Sequence, residues 1–215
     1  MEIKNQVRCI SHEIRNHLSI CELYTEIIKL NLEKEGVKIE SVDNAISCIK
    51  KSLKIMSNCL IDLKSTGNIV LANYDLKTIL EEGIELSKVY VQDKKIKFNT
   101  VINATATVTL DDNKFTASLV NILKNAIEAI KTQGEINIVL KINKDEAKIT
   151  ISNNGEMISP ESRKKLFDEG FTTKSTGSGL GLYICRENLR MQNAELELIS
   201  STHSKTVFEI TIPLK

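Results

Sequence analysis

Apolar and semi-apolar side chains recur at alternating steps of four and three through the first third of the chain. They are Ile3, Val7, Ile10, Ile14, His17, Cys21, Tyr24 and Ile28 and, after a break at Glu35-Gly36-Val37, Val42, Ile46, Ile49, Leu53, Met56, Leu60 and Leu63. A repeat of about 3.5 residues lays one apolar stripe along a helix, whereas a strand alternates every second residue. The spacing therefore predicts two long helices joined as a hairpin. A lone hairpin of about 65 residues buries too little surface to be stable. So regular a seam predicts a homodimer in which two hairpins close a four-helix bundle.

Near Ser65-Thr66-Gly67-Asn68 the repeat stops, which divides the chain into residues 1–67 and 68–215. The second part changes period repeatedly. It predicts a helix over 75–92, a strand over 95–103, a short strand over 107–110 and a helix over 113–131 with Asp111 or Asp112 as its cap. Strict alternation follows at Ile136, Ile138, Leu140 and Ile142, then at Ala147, Ile149 and Ile151, so each strand buries one face. A short helix near 159–167, a glycine-rich loop, a helix over 179–191 and strands over 195–200 and 206–213 complete the pattern. The fold class expected is α+β: a helical hairpin followed by a two-layer α/β sandwich.

Lys and Arg number 29 against 28 Asp and Glu, a formal net charge of +1. That balance lacks the electrostatic footprint of a nucleic-acid or anionic-membrane binder. No stretch approaches the roughly 18 to 20 apolar residues of a membrane span, and the polar N-terminus is unlike a signal peptide, so a cytoplasmic location is expected. The five cysteines, Cys9, Cys21, Cys48, Cys59 and Cys185, show no CxxC spacing and are read as small buried apolar side chains.

Three groups of residues could carry chemistry. His12 lies two residues from both Ile10 and Ile14, so at about 100° per residue it points away from the seam, beside Glu13 and one turn before Asn16. A neutral imidazole is a competent nucleophile at cellular pH, and a carboxylate on one ring nitrogen fixes the tautomer that frees the other. An exposed helical histidine is also, commonly, just a solvated side chain. On the 113–131 helix, Asn121, Asn125 and Glu128 fall at i, i+4 and i+7, opposite Leu119, Leu123, Ala126 and Ile130. Amide oxygens suit Mg²⁺, although a polar strip is ordinarily a wet face. Four of the nine glycines, Gly170, Gly177, Gly179 and Gly181, crowd into twelve residues running straight into an apolar helix. Helix-start amides approached through glycines can cradle an anion. Lys174 and the basic run Arg163, Lys164, Lys165 could neutralise phosphates or simply be solvated.

In order along the chain stand SHEIRNHLS, NILKNAIEAI, ISNNGEMI, LFDEGFTTK and STGSGLGL. They resemble the phosphoacceptor, asparagine, first glycine, phenylalanine and second glycine boxes of two-component sensor histidine kinases. The resemblance implies a dimerisation and histidine-phosphotransfer hairpin followed by a Bergerat or GHKL-type ATP-binding domain. The same ATP fold serves gyrases, Hsp90 chaperones and mismatch-repair ATPases, and only the His-bearing hairpin selects kinase. By position, the resemblance makes His12 the phosphorylated residue, Glu13 its assistant and Asn16 the group that positions water for dephosphorylating the partner. It assigns Mg²⁺ to Asn125 and the adjacent phosphate region to Asn121. ATP would also meet Asn153, Gly155, Lys174, Gly177, Gly179, Leu180 and Gly181, under a lid anchored by Phe167 and Phe171.

The implied activity is ATP-dependent autophosphorylation of His12 and transfer to an aspartate of a response-regulator receiver domain. The rival is an ATP-independent relay or scaffold dimer with a degenerate ATP site. Three departures from the family pattern bear on the choice. Asn153 replaces the usual Asp that meets the adenine amino group, trading a bond of about 1.5–3 kcal/mol for one of about 0.5–1.5 and weakening binding roughly tenfold. Met157 replaces a glycine, and His17 stands where a helix-bending proline is common. Only eleven residues precede His12, so the input is expected from a missing part of a longer chain, from a separate protein or from nothing at all.

Overall fold

Two aspartates open the main helices. Helix α1 (Leu76–Ser87) starts at Asp75, whose carboxylate accepts from Thr78 N at 2.8 Å and from the Thr78 hydroxyl at 2.9 Å. The Thr105 hydroxyl donates to the other Asp75 oxygen at 2.6 Å, and these three bonds hold the carboxyl below its ordinary pKa. Helix α2 (Asp112–Ala129) is capped by Asp111, not Asp112. Asp111 Oδ1 accepts from Lys114 N at 3.0 Å, Oδ2 accepts from Val70 N at 2.9 Å, and its own N–H donates to Gln192 Oε1 at 2.7 Å. One buried residue thus fixes the start of α2 against two distant parts of the chain.

The computed structural model describes residues 69–174 and 179–214, together with Cys21, Thr25, Ile28, Leu32, Val42, Ile46 and Ile49. The chain divides into two units, Met1–Gly67 and Asn68–Lys215. In the first, the seven described residues are all helical. Thr25 and Ile46 are buried, while Cys21, Ile28 and Ile49 are exposed. Cys21, expected to be buried, is therefore a correction: within one chain the helix buries its Thr25 side, and this seam position stays open. The remainder of the expected hairpin, with His12, Glu13, Asn16 and His17, lies outside the described residues.

The second unit is built on a mixed five-stranded sheet in the order β2-β4-β5-β7-β6. Its strands are β2 (Lys95–Val101), β4 (Gln133–Ile142), β5 (Glu146–Asn153), β6 (Glu195–Ser201) and β7 (Thr206–Pro213). β2 runs parallel to β4 and the other pairs are antiparallel. A separate two-stranded ribbon pairs β1 (Ala72–Asp75) with β3 (Thr107–Leu110). Alternation places Ile136, Ile138 and Leu140 of β4, Ala147, Ile149 and Ile151 of β5, and Phe208, Ile210 and Ile212 of β7 in the core. Covering them, α1 contributes Leu76, Ile79, Leu80 and Ile84, and α2 contributes Phe115, Leu119, Ile122, Leu123, Ala126 and Ile127. Helix α4 (Gly181–Arg190) adds Cys185 and Leu189, and α2 packs against both α1 and α4. A six-residue helix, α3 (Pro160–Lys165), starts at Ser159, whose hydroxyl accepts from Ser162 N.

The sandwich agrees with the sequence expectation except at the edges of elements. β1 is an addition: four mostly exposed residues carry too few apolar positions to show a period. The first helix ends at Ser87 and tightens into a 3₁₀ turn over Lys88–Tyr90, and the second ends at Ala129 where Ile130 turns to extended backbone.

Candidate functional site

The exposed stripe of α2 gathers polar groups from four other segments. Asn121 and Asn125 are half-buried on it, and Glu128 follows one turn later. Lys174, on the loop before the glycine-rich run, donates from Nζ to Asn125 Oδ1 at 2.8 Å and also pairs with the Glu128 carboxylate. A cation thus already sits on an amide oxygen and a carboxylate. This is the donor set of a hard divalent ion that keeps several waters and shares phosphate oxygens, so these residues fit Mg²⁺. Among the described residues no group of three or more His, Cys, Asp or Glu side chains could hold a metal, so phosphate and water oxygens would have to complete the shell. Beside this cluster the Lys124 ammonium lies 5.3 Å from the centre of the Tyr90 ring. Burial, then the Glu128 charge, pushes the Tyr90 hydroxyl pKa up.

Glycines set how closely backbone can approach this stripe. A Cβ at Gly181, the first residue of α4, would lie 2.6 Å from Asn121 Nδ2, which itself donates to Cys185 Sγ at 3.5 Å. The start of α4 is therefore seated directly on Asn121. Leu180 is the N-cap residue, makes no side-chain cap, and accepts from Ile184 N at 2.9 Å. Gly179 has φ +71, and a Cβ there would meet the Gly170 carbonyl at 2.3 Å. Both its dihedral and its contact demand glycine, which seats Gly179 against the Gly170 backbone. Gly177 lies outside the described residues.

At the far end of α2, the end of β5 supplies Asn153. It is only 3% exposed, and its Nδ2 has no hydrogen-bond partner among the described residues. A Cβ at Gly155 would lie 2.8 Å from that Nδ2 and 2.5 Å from the Ala129 carbonyl oxygen, which accepts from Glu156 N at 2.9 Å. Gly155 thus lets the loop after β5 press onto the last turn of α2, one turn beyond Asn125. An orphaned buried amide next to a glycine-lined approach is what a planar polar ligand would complete. Met157 needs no glycine conformation, because among the described residues only Gln92 and Asn193 are non-glycine positions with positive φ.

The other expected residues separate into supports and bystanders. Arg163 donates from Nε to Ile158 O at 3.0 Å and from Nη2 to Ser201 O, so it braces α3 against β6 instead of facing a phosphate. Lys164 and Lys165 are exposed. Phe167 packs on the core with the Arg186 guanidinium 5.0 Å from its ring centre, and Arg186 also donates to Phe167 O at 3.1 Å. Sequence reasoning did not single out Thr206. It is buried, sits opposite Asn153 in the β5–β7 register, and shares a 2.7 Å hydrogen bond with the Ser201 hydroxyl. A buried threonine opening an otherwise alternating apolar strand was the available signal.

Residues 110–215 match the family described as histidine kinase-, DNA gyrase B- and HSP90-like ATPase. The chain is 28% identical over 209 residues to the sensor histidine kinase ZraS of Salmonella typhimurium, covering 95% of this chain and 44% of that protein. It thus spans less than half the length of that relative. The catalytic domain of histidine kinase ThkA superposes with a TM-score of 0.58 at 27% identity, over 67% of this chain and 95% of that one. The histidine kinase ThkA in complex with response regulator protein TrrA gives a TM-score of 0.66 at 23% identity, over 98% of this chain and 61% of that one, a likeness of fold. Among the described residues no helix is long and apolar enough to cross a membrane.

Proposed function

We propose that the chain is an ATP-dependent protein histidine kinase that phosphorylates its own His12, a reading supported by the match of residues 110–215 to the histidine kinase-, DNA gyrase B- and HSP90-like ATPase family and by the likeness to the catalytic domain of histidine kinase ThkA. Its partner is then a response-regulator receiver domain, whose aspartate takes the phosphoryl group. The observation that carries this reading is the pair of oxygens, from Asn125 and Glu128, that already hold a cation on α2. When bound there, Mg²⁺ would be held by Asn125 and would supply charge neutralisation for the triphosphate.

The chain's own groups do the rest. Asn153 meets the base. Lys174, released from Asn125 and Glu128, turns its charge towards phosphate, and the start of α4 at Leu180–Gly181 directs its amides the same way. Gly179 and Gly181 allow that backbone approach, and Asn121 orients the phosphates beside them. Glu13 holds one ring nitrogen of His12 as N–H, and the other attacks the γ-phosphorus in line. A nitrogen–phosphorus bond forms as the bond to the β-phosphate oxygen breaks, and ADP leaves with the electron pair. Positioning and charge neutralisation supply most of such a rate enhancement. On this reading Asn16 positions water when the partner is dephosphorylated. The exposed Cys21, Ile28 and Ile49 meet a second copy in a four-helix bundle, and a sensor supplies the input.

Labelling from γ-³²P-ATP tests the reading. The intact chain is expected to become labelled in an acid-labile, base-stable form, as a phosphoramidate is. His12→Ala should abolish the label, and Asn125→Ala should reduce it at least tenfold. Persistent labelling of His12→Ala would overturn the assignment.

A further inference from the structure

We infer that the base pocket admits 6-oxopurine nucleotides as well as adenine nucleotides, because its reader is the Asn153 carboxamide. The inference rests on the nucleotide reading of the site and adds to it the class of base accepted. Asn153 is only 3% exposed, yet its Nδ2 has no partner among the described residues. Its surroundings are otherwise satisfied. Asn154 Oδ1 accepts from Glu135 N at 2.8 Å, the Ala129 carbonyl accepts from Glu156 N, and the Ser201 and Thr206 hydroxyls bond each other. A buried amide donor left open within such a network is a position for a ligand to fill.

A carboxamide carries a donor and an acceptor on one plane, and the two ends have nearly the same shape. Adenine offers an amino donor at C6 beside an acceptor at N1. Hypoxanthine offers the reverse, a carbonyl acceptor at C6 beside an N1–H donor. A half-turn of the Asn153 amide converts a match for one into a match for the other. Since Nδ2 makes no hydrogen bond among the described residues, no such bond at that end is lost in the turn. The neighbouring Ser201–Thr206 pair is equally ambivalent, since either hydroxyl can be the donor. A carboxylate in this position could only accept, and would set its charge against the carbonyl of a 6-oxopurine.

Calorimetric titration of the full chain with Mg·ADP and Mg·IDP, alone and with Asn153→Asp, tests this. Wild type is expected to bind the two within about tenfold of each other, the span of one neutral hydrogen bond. Asn153→Asp is expected to tighten ADP by up to about tenfold and to weaken IDP by about a hundredfold or more. Wild type preferring ADP by more than about a hundredfold, or a ratio that Asn153→Asp leaves unchanged, overturns the base inference alone. Binding of neither nucleotide overturns the nucleotide reading with it. The wild-type ratio decides the matter even if Asn153→Asp does not fold.

Discussion

Replacing Gly155 by alanine isolates the contact that joins the base end of the site to α2. Gly155 does not have a left-handed φ, so the methyl group acts through space alone. It would lie 2.5 Å from the Ala129 oxygen, 2.6 Å from the Ala129 carbonyl carbon and 2.8 Å from Asn153 Nδ2. Two of these are backbone atoms at the end of a helix and cannot swing aside. Relief has to move the loop after β5, which breaks the 2.9 Å bond from Glu156 N to Ala129 O. Overpacking costs about 1–3 kcal/mol and the lost bond about 0.5–1.5, so about 1.5–4.5 kcal/mol together. For a domain of this size that is a fall in Tm of roughly 5–15 °C. Because the displaced loop also carries the neighbour of Asn153, affinity for Mg·ADP should fall at least tenfold. Differential scanning calorimetry and nucleotide titration read the two effects separately. A melt within about 2 °C of wild type, together with unchanged ADP affinity, would refute the claim that Gly155 is held against α2.

Gly179→Ala combines an unfavourable φ, about 1–2 kcal/mol for an L side chain, with a methyl 2.3 Å from the Gly170 backbone. Limited proteolysis should cut next to Gly170 and Gly179 faster in this variant while the core stays intact. Asp111→Ala removes the α2 cap and the tether to Val70, and should cost about 2–4 kcal/mol in urea unfolding with little change in m-value. The Asp75 carboxyl has its pKa held below 3.8 by Thr105 and Thr78 in the folded state, so its stabilisation is present above that value and lost as pH falls through the folded pKa. The slope of stability against pH below about 4 should therefore flatten in Asp75→Asn, read by fluorescence-free circular dichroism of the acid transition.

Much of the second unit was legible because its periods are clean. Alternation in β4 and β5 and the apolar stripe of α2 each fix a buried face, and the core follows from those faces. The stripe opposite was legible for the same reason: helical spacing alone puts Asn121, Asn125 and Glu128 in one row. What spacing could not supply was how the row is used. The bond from Lys174 to Asn125 joins residues 49 positions apart, and no local pattern anticipates it. The choice of Asp111 over Asp112 as cap needed the tertiary bonds to Val70 and Gln192, which only Asp111 makes. Arg163 looked like one of three basic side chains in a run, but its reach to Ser201 turns it into a brace. The orphaned amide of Asn153 was likewise invisible in sequence, where only the substitution showed and not the missing partner.

Hydrogen exchange of the full chain with and without saturating Mg·ADP tests the central claim most directly. The account predicts slowed exchange at the end of β5 and its loop over 153–158 and at the start of α4 over 179–185. Unchanged exchange at both segments, or protection confined to the groove lined by Glu81, Glu85, Lys88 and Phe98 on the α1 side, would contradict it.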